Sequence, residues 1–408
     1  MYDLLKGLRV VEGAAFVAGP SCGLYLAQMG AEVIRIDTIG GGPDFNRWPL
    51  AAENGKSLYW EGFNKSKKSI AINLSSPEGR ALAVRLAGAP GENGGLFVTN
   101  FPAEGFLSYE ALRKAREDII CVRVMGWADG KPALDYTVNS SVGVPNMTGH
   151  PDDPRPVNAM MPAWDFLTGA YGAFSLVSAL IARRMDGKGR EVRLPLSDIA
   201  AASLAHMGLV ADVMGGAPDR PKLGNDLYGA FGRDFVTGDG VRIMLVAITA
   251  RQWRGLMQTL EITDQVATLE AQLGLSFAED EGLRYDHRDT LFPIFEAALA
   301  KRKLAELVPT FDSLGVCWGP YQPLSKAIDD PRLFRGNPVF SEIAQPSGRT
   351  YLVPGFAGTV PQDERLPPRP APRLGQHTDE VLLEVLGLSS AEVAKLHDEG
   401  VVAGPAAA

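Results

Sequence analysis

Hydrophobic positions in the first half of the chain alternate between two spacings. Short runs rich in β-branched residues, at 9–12, 32–37, 69–73, 96–99, 119–124 and 191–194, read as strands. Between them, segments 20–29, 77–86, 109–116 and 166–185 carry the wider spacing of helices. Polar punctuation sets the boundaries. Ser76 before Pro77 is an N-cap followed by proline at the first helical position, and Gly88 stops the same helix. Strands alternating with helices predict an α/β domain with a doubly wound, Rossmann-like parallel sheet.

The pattern changes beyond residue 213. Segment 214–225 (MGGAPDRPKLGN) has the composition of a linker. Segment 238–248 reads as a hairpin opening on Gly238-Asp239-Gly240, and helical spacing returns at 251–260, 290–300 and 304–314. A smaller α+β domain is therefore expected over 226–325, after a large domain over 1–213. Nine of the residues between 331 and 372 are proline, so that stretch is expected to run extended over a surface. Helices at 379–386 and 390–399 close a returning segment, 331–408.

Composition narrows the function classes. With 46% hydrophobic and 22% charged residues, the 408-residue chain has an ordinary globular make-up. Its net charge of −8 speaks against a nucleic-acid partner, which asks for a basic face. The longest uncharged apolar run, 166–182, holds two glycines and polar Thr, Ser and Tyr. It reads as a buried helix, and no membrane partner is expected. Met1-Tyr2-Asp3 does not open a secretory signal, and Cys22, Cys121 and Cys317 form no disulfide framework, so a cytoplasmic location is expected.

Candidate chemistry is sparse. The five histidines stand at no metal-ligand spacing, and neither a GxSxG elbow, a P-loop nor a GxGxxG turn is present. No metal and no tightly bound cofactor is expected. Asp165, in Pro162-Ala163-Trp164-Asp165, sits at the mouth of the long apolar helix. It is open to two readings, an N-cap or a nucleophilic carboxylate beside an apolar wall. The basic knot Asn64-Lys65-Ser66-Lys67-Lys68-Ser69 is either a solvated turn or a neutraliser of a phosphate-bearing ligand.

Several strings together resemble one family, the class III CoA transferases. They are Leu8-Arg9-Val10-Val11-Glu12, Ala18-Gly19-Pro20, Gly30-Ala31-Glu32-Val33-Ile34-Arg35, the basic knot, Thr99-Asn100-Phe101, 315–320 (GVCWGP) and 372–382 (PRLGQHTDEVL). The resemblance implies a small acyl-CoA substrate and an interlocked homodimer. It also implies a nucleophilic aspartate, at Asp165. It places CoA contacts at Val17, Ala18, Arg35, Lys68, Ile72, Asn73, Ser75, Asn100, Phe101, Pro102 and Asp135. Where the formyl-CoA branch carries CoA-contacting arginines, this chain has Thr38 and Ser108, and that branch's mobile glycine tract is missing.

Longer strings resemble a branch that moves CoA between the C1 and C4 carboxyls of one molecule of mesaconate. They surround Arg47, Asp135, Asp165 and the segment 224–235. By that resemblance an aspartyl-CoA thioester is the intermediate. The free carboxylate of the diacid asks for a cation, for which Arg47 and Arg233 are candidates, with Tyr228 as a hydroxyl donor. A salt bridge between domains or subunits is the plain alternative for both arginines. Two other activities compete. An intermolecular CoA transferase would use the same aspartate, whereas the related racemases carry a histidine where this chain has Leu134.

Overall fold

A computed structural model describes residues 1–405. The chain forms two compact units. One comprises 1–142, 159–216 and the chain from 329 onward; the other comprises 143–158 and 217–328.

The larger unit is built on a parallel sheet. Its strands are β1 (Arg9–Gly13), β2 (Glu32–Thr38), β3 (Lys68–Ile72), β4 (Leu96–Thr99), β5 (Ile120–Met125) and β6 (Arg190–Pro195), in the order β3-β2-β1-β4-β5-β6. Val402–Ala403 adds an antiparallel edge to β3. Most of these strands are dominated by β-branched and apolar residues because both faces are covered. Val11, Ile34, Ile70 and Phe97 pack into a core on one face, while Val10, Val33, Leu96 and Val98 pack on the other. The doubly wound α/β architecture is the one the alternation predicts.

The helices that follow the strands are α1 (Ala18–Gln28), α2 (Leu58–Asn64), α3 (Pro77–Ala87), α4 (Tyr109–Ala115), α5 (Asp135–Ser141) and α6 (Ala163–Asp186). Ser76 caps α3 through Gly79 N–H, as its sequence predicts. By length and composition α6 could cross a membrane. In this fold its glycines lie against α1. A Cβ at Gly169 would fall 2.1 Å from Ser21 Oγ and 2.9 Å from the Ala18 carbonyl, and one at Gly172 would fall 3.0 Å from Cys22 Sγ. These two glycines let α6 approach α1 closely, which sets the N-terminus of α6 beside the turn after β1.

The proline-rich stretch is less featureless than its composition suggests. Phe340–Ala344 and Thr350–Pro354 pair as an antiparallel hairpin, with prolines confined to its ends and turn. Beyond it the tail is tied to β3. Gly375 N–H donates to Ser69 Oγ, His377 N–H to the Ser69 carbonyl, and Ala71 N–H to Thr378 Oγ1.

The smaller unit holds an antiparallel sheet of Phe231–Val236, Arg242–Ala247 and Cys317–Pro320. Helices Ala250–Leu260, Arg288–Leu299 and Leu304–Leu314 belong to the same unit. Its core centres on Phe231, whose ring lies 4.5 Å from Phe295 and 5.2 Å from Trp253.

The α1–α6 approach yields a prediction. Gly169→Val has no space to enter, because one neighbour is backbone. It should destabilise the protein by about 1–3 kcal/mol, read as a lower Tm and urea midpoint. An unchanged Tm would show that the helices can part without cost.

Candidate active site

Asp165 is not the cap of its helix. Helix α6 begins at Ala163 after Pro162, and Asp165 occupies its third position with no side-chain capping bond. The capping role falls to another residue. Asp135, at the start of α5, accepts the N–H of Asp165 at 3.0 Å and also that of Trp164. Trp164 Nε1 in turn donates to Asn139 Oδ1 on α5. With the helix terminus satisfied from outside, the Asp165 carboxylate is left to line a cavity of about 520 Å³.

The walls of that cavity come from strand ends. Phe16, Val17 and Ala18 follow β1, Asn100, Phe101 and Pro102 follow β4, and Leu134 precedes α5. Binding at the carboxyl ends of parallel strands is the general rule for such sheets. The walls are pinned by dedicated bonds. Asn100 Nδ2 donates to the Ala15 carbonyl at 2.9 Å, and Asn100 Oδ1 accepts Ala15 N–H at 3.2 Å. Arg123, buried in β5, donates to the carbonyls of Phe101, Pro102 and Leu107 at 2.7–2.9 Å while its Nε pairs with Glu191.

Arg47 is the cation that acts on Asp165. Its guanidinium lies 5.5 Å from the Phe16 ring and 5.3 Å from the Tyr59 ring, and its side chain hydrogen-bonds Tyr59. Rings on either hand restrict the planar fork and leave its edge for a carboxylate. Phe63 of α2 lies 5.0 Å from the Tyr59 ring and 5.8 Å from the Phe166 ring.

Burial pushes the Asp165 carboxyl up to about 7. The like charge of Asp135 pushes the same way, and Arg47 opposes it. Burial also raises Asp135, against the two N–H groups it accepts. The site therefore holds a carboxylate that ionises near neutrality, with the charge of Arg47 easing it.

The model of CoA-transferase family III matches residues 5–378. The chain belongs to CoA-transferase family III. It is 48% identical over 406 residues to the 2-methylfumaryl-CoA isomerase of Chloroflexus aurantiacus, covering 99% of both chains. It is 29% identical to a succinate–glutarate CoA-transferase of Agrobacterium fabrum, over 93% of this chain and 95% of that one. A CAIB/BAIF family protein from Brucella suis superposes with a TM-score of 0.75 at 23% identity, over 94% of this chain and 100% of that one, which speaks for the fold.

Against the CoA contacts that the family resemblance implies, the residues divide. Val17, Ala18, Asn100, Phe101 and Pro102 line the Asp165 cavity. Asp135 stands at its edge through the backbone of α6. Ile72, Asn73 and Ser75 lie elsewhere. Ile72 is core, and Asn73 bonds the backbone at Gly400, Val401 and Ser75. Arg35 is 2% exposed and spends its guanidinium on Glu12, Asp37, Asp44 and Asn64. Lys68 pairs with Glu32 and Glu380.

The basic knot is not a solvated turn. Lys65, Ser66 and Lys67 are buried, and Lys67 bonds both oxygens of Glu12. In the smaller unit, Arg233 lies 3.5 Å from Asp226 and 3.4 Å from Glu296, and Tyr228 packs between Arg220 and Tyr285. The sequence reading missed Tyr59, Phe16 and Asp44. The only local sign of Tyr59 is Ser57, which caps α2 just ahead of it.

The raised Asp165 carboxyl has a pH signature. Its folded value, about 7, exceeds the ordinary 3.8, so the folded protein binds this proton more tightly than the unfolded chain. The stability this proton confers is complete below 3.8 and is lost as pH rises through about 7. Asp165→Asn removes the penalty. Its stability advantage should be absent near pH 4, grow with pH and level off above about 7, at on the order of 4 kcal/mol. In the active enzyme, the rising limb of kcat/KM near pH 7 should move down in Asp135→Asn and up in Arg47→Met. A pH-independent advantage, or limbs that do not move, would remove Asp165 from the titrating role.

Proposed function

We propose that this family III enzyme is an intramolecular CoA transferase that moves CoA between the C1 and C4 carboxyls of 2-methylfumarate (mesaconate). The observation that carries this reading is a cavity-lining Asp165 whose carboxylate caps no helix, ionises near pH 7 and is eased by the charge of Arg47, which lies against the rings of Phe16 and Tyr59. The similarity to a 2-methylfumaryl-CoA isomerase over the whole chain supports the choice of diacid.

Each step balances. Ionised Asp165 attacks the thioester carbonyl; a C–O bond forms, the C–S bond breaks and CoA leaves as thiolate, giving a mixed anhydride. The thiolate attacks the aspartyl carbonyl. The anhydride C–O bond breaks, leaving an Asp165–CoA thioester and free mesaconate dianion. The diacid then presents its other carboxylate to the aspartyl thioester. Thiolate is released again and attacks the mesaconyl carbonyl of the second anhydride, and Asp165 departs as carboxylate. No proton is consumed and nothing is oxidised.

The chain's residues have separable tasks in this scheme. Arg47 holds the carboxylate that is not reacting, and keeps the dianion in the cavity between the two half-reactions. Val17, Ala18 and the 100–102 turn form the wall along which the thioester end lies. The cavity holds the second carboxylate at a high effective concentration beside the enzyme thioester. We place the reaction in the cytoplasm, in a homodimer.

The test follows a label. Mesaconyl-CoA should isomerise with no second acid present, and labelled free mesaconate in the medium should enter product much more slowly than product forms. Arg47→Ala should increase leakage of free mesaconate. Label entering as fast as product forms, or a requirement for a second acyl-CoA, would replace this reading with an intermolecular transferase.

A further inference from the structure

The Asp165 cavity rests on a group of charges that the proposed chemistry does not use. Beneath the turn after β1, Arg35 and Lys67 are buried with three carboxylates, Glu12, Asp37 and Asp44. Lys67 Nζ donates to Glu12 and to the Pro20 carbonyl on α1. Arg35 Nε donates to Asp37 at 2.7 Å, and its Nη2 grips both oxygens of Asp44 at 2.9 and 3.1 Å. Two cations face three anions, so the cluster needs further donors. Ser69 Oγ serves Asp37 at 2.6 Å. The donor that serves Asp44 is the backbone N–H of Phe16, at 3.0 Å.

Phe16 is unusual. Its φ is +71°, a left-handed conformation that a bulky side chain adopts only when its surroundings enforce it. The same residue lines the cavity and lays its ring 5.5 Å from the Arg47 guanidinium. Asp44 also reaches Arg47 directly, because its carbonyl accepts the Arg47 N–H at 3.2 Å. One residue thus touches both partners of the cation–ring pair, by side chain on one and by main chain on the other.

We propose that Asp44 is a positioning residue: held by Arg35, its carboxylate clamps Phe16 in the left-handed conformation and thereby fixes the ring against Arg47. The buried ion cluster is then the anvil of the site. A charge-assisted bond to a backbone N–H is strong enough to hold a strained residue that neutral contacts would release. Relaxed to a negative φ, Phe16 would swing its ring off Arg47 and change the wall formed with Val17 and Ala18. The proposal rests on the functional reading only in giving Arg47 the second carboxylate.

The experiment has one arm that needs no substrate. In Asp44→Ala, amide exchange in the peptide over 13–19 should accelerate, read by mass spectrometry. Formation of the Asp165–CoA thioester should slow at least about tenfold, while the Kd for free CoA shifts less than about threefold. Phe16→Gly supplies the decisive background. Glycine takes φ +71° without strain, so there the further change Asp44→Ala should cost less than about threefold. A merely structural loss would cost the same in both backgrounds, and that equality, or unchanged exchange over 13–19, overturns the clamp. Should Asp44→Ala fail to fold, Asp44→Asn in the same two backgrounds serves, because it keeps an acceptor for Phe16 N–H. Its expected cost is smaller but must still shrink with glycine. Faster exchange over 13–19 in an enzyme that proves to need a second acid would uphold the clamp and refute the intramolecular reading alone.

Discussion

The site depends on one exchange of partners at the start of α6. An aspartate in the first turn of a helix ordinarily spends its carboxylate on free N–H groups and becomes a low-pKa, unreactive cap. Here Asp135 reaches across from α5 and takes the N–H groups of Trp164 and Asp165 instead. Asp165 is left facing a cavity with its charge opposed by Asp135 and eased only by Arg47. The same contact that anchors the backbone therefore raises the energy of the side chain. A carboxylate so placed gains from becoming an anhydride or thioester, since acylation removes the charge that burial and Asp135 disfavour.

The rest of the larger unit holds that geometry rigid. Gly169 and Gly172 bring α6 onto α1, so that the terminus of one helix meets the strand-end turn that starts the other. Arg123 and Asn100 tie the turn after β4 to its neighbours. Burying Arg35 and Lys67 among three carboxylates is costly in desolvation, and losing one member of such a cluster typically costs about 3–5 kcal/mol. Expensive buried charge placed directly under a reactive cavity makes sense if it fixes positions there that apolar packing would leave loose.

The sheet was legible because its signal is local. Strands covered on both faces are rich in β-branched and apolar residues, and β1–β5 show this even with charged residues such as Glu12, Arg35 and Arg123 set among them. Helices α2 (LYWEGFN) and α5 (DYTVNSS) left no such trace, because aromatic, glycine, β-branched and Ser/Asn residues favour helix weakly, whereas the equally short α4 (YEALRKA) is built of strong helix formers. The site was legible only where family strings crossed it, at Asp165, Arg47 and the turns after β1 and β4. What surrounds those residues comes from far along the chain. Asp135 caps a helix that begins 28 residues later, and nothing local distinguishes it from a surface aspartate. Lys67 and Arg35 look like free cations in sequence because Glu12 and Asp44, which help neutralise them, arrive on other segments, and only the fold turns Asp37, two residues along β2, onto Arg35. Burial of charge is a property of the assembled sheet, so composition around the basic knot pointed to solvent.

The most direct measurement is the covalent state of Asp165 during turnover. Enzyme mixed with mesaconyl-CoA alone and quenched with hydroxylamine should yield a hydroxamate on the peptide containing Asp165, and on no other carboxylate, with free mesaconate released in equal amount. A modified residue elsewhere, or isomerisation proceeding with Asp165 never acylated, would contradict the account.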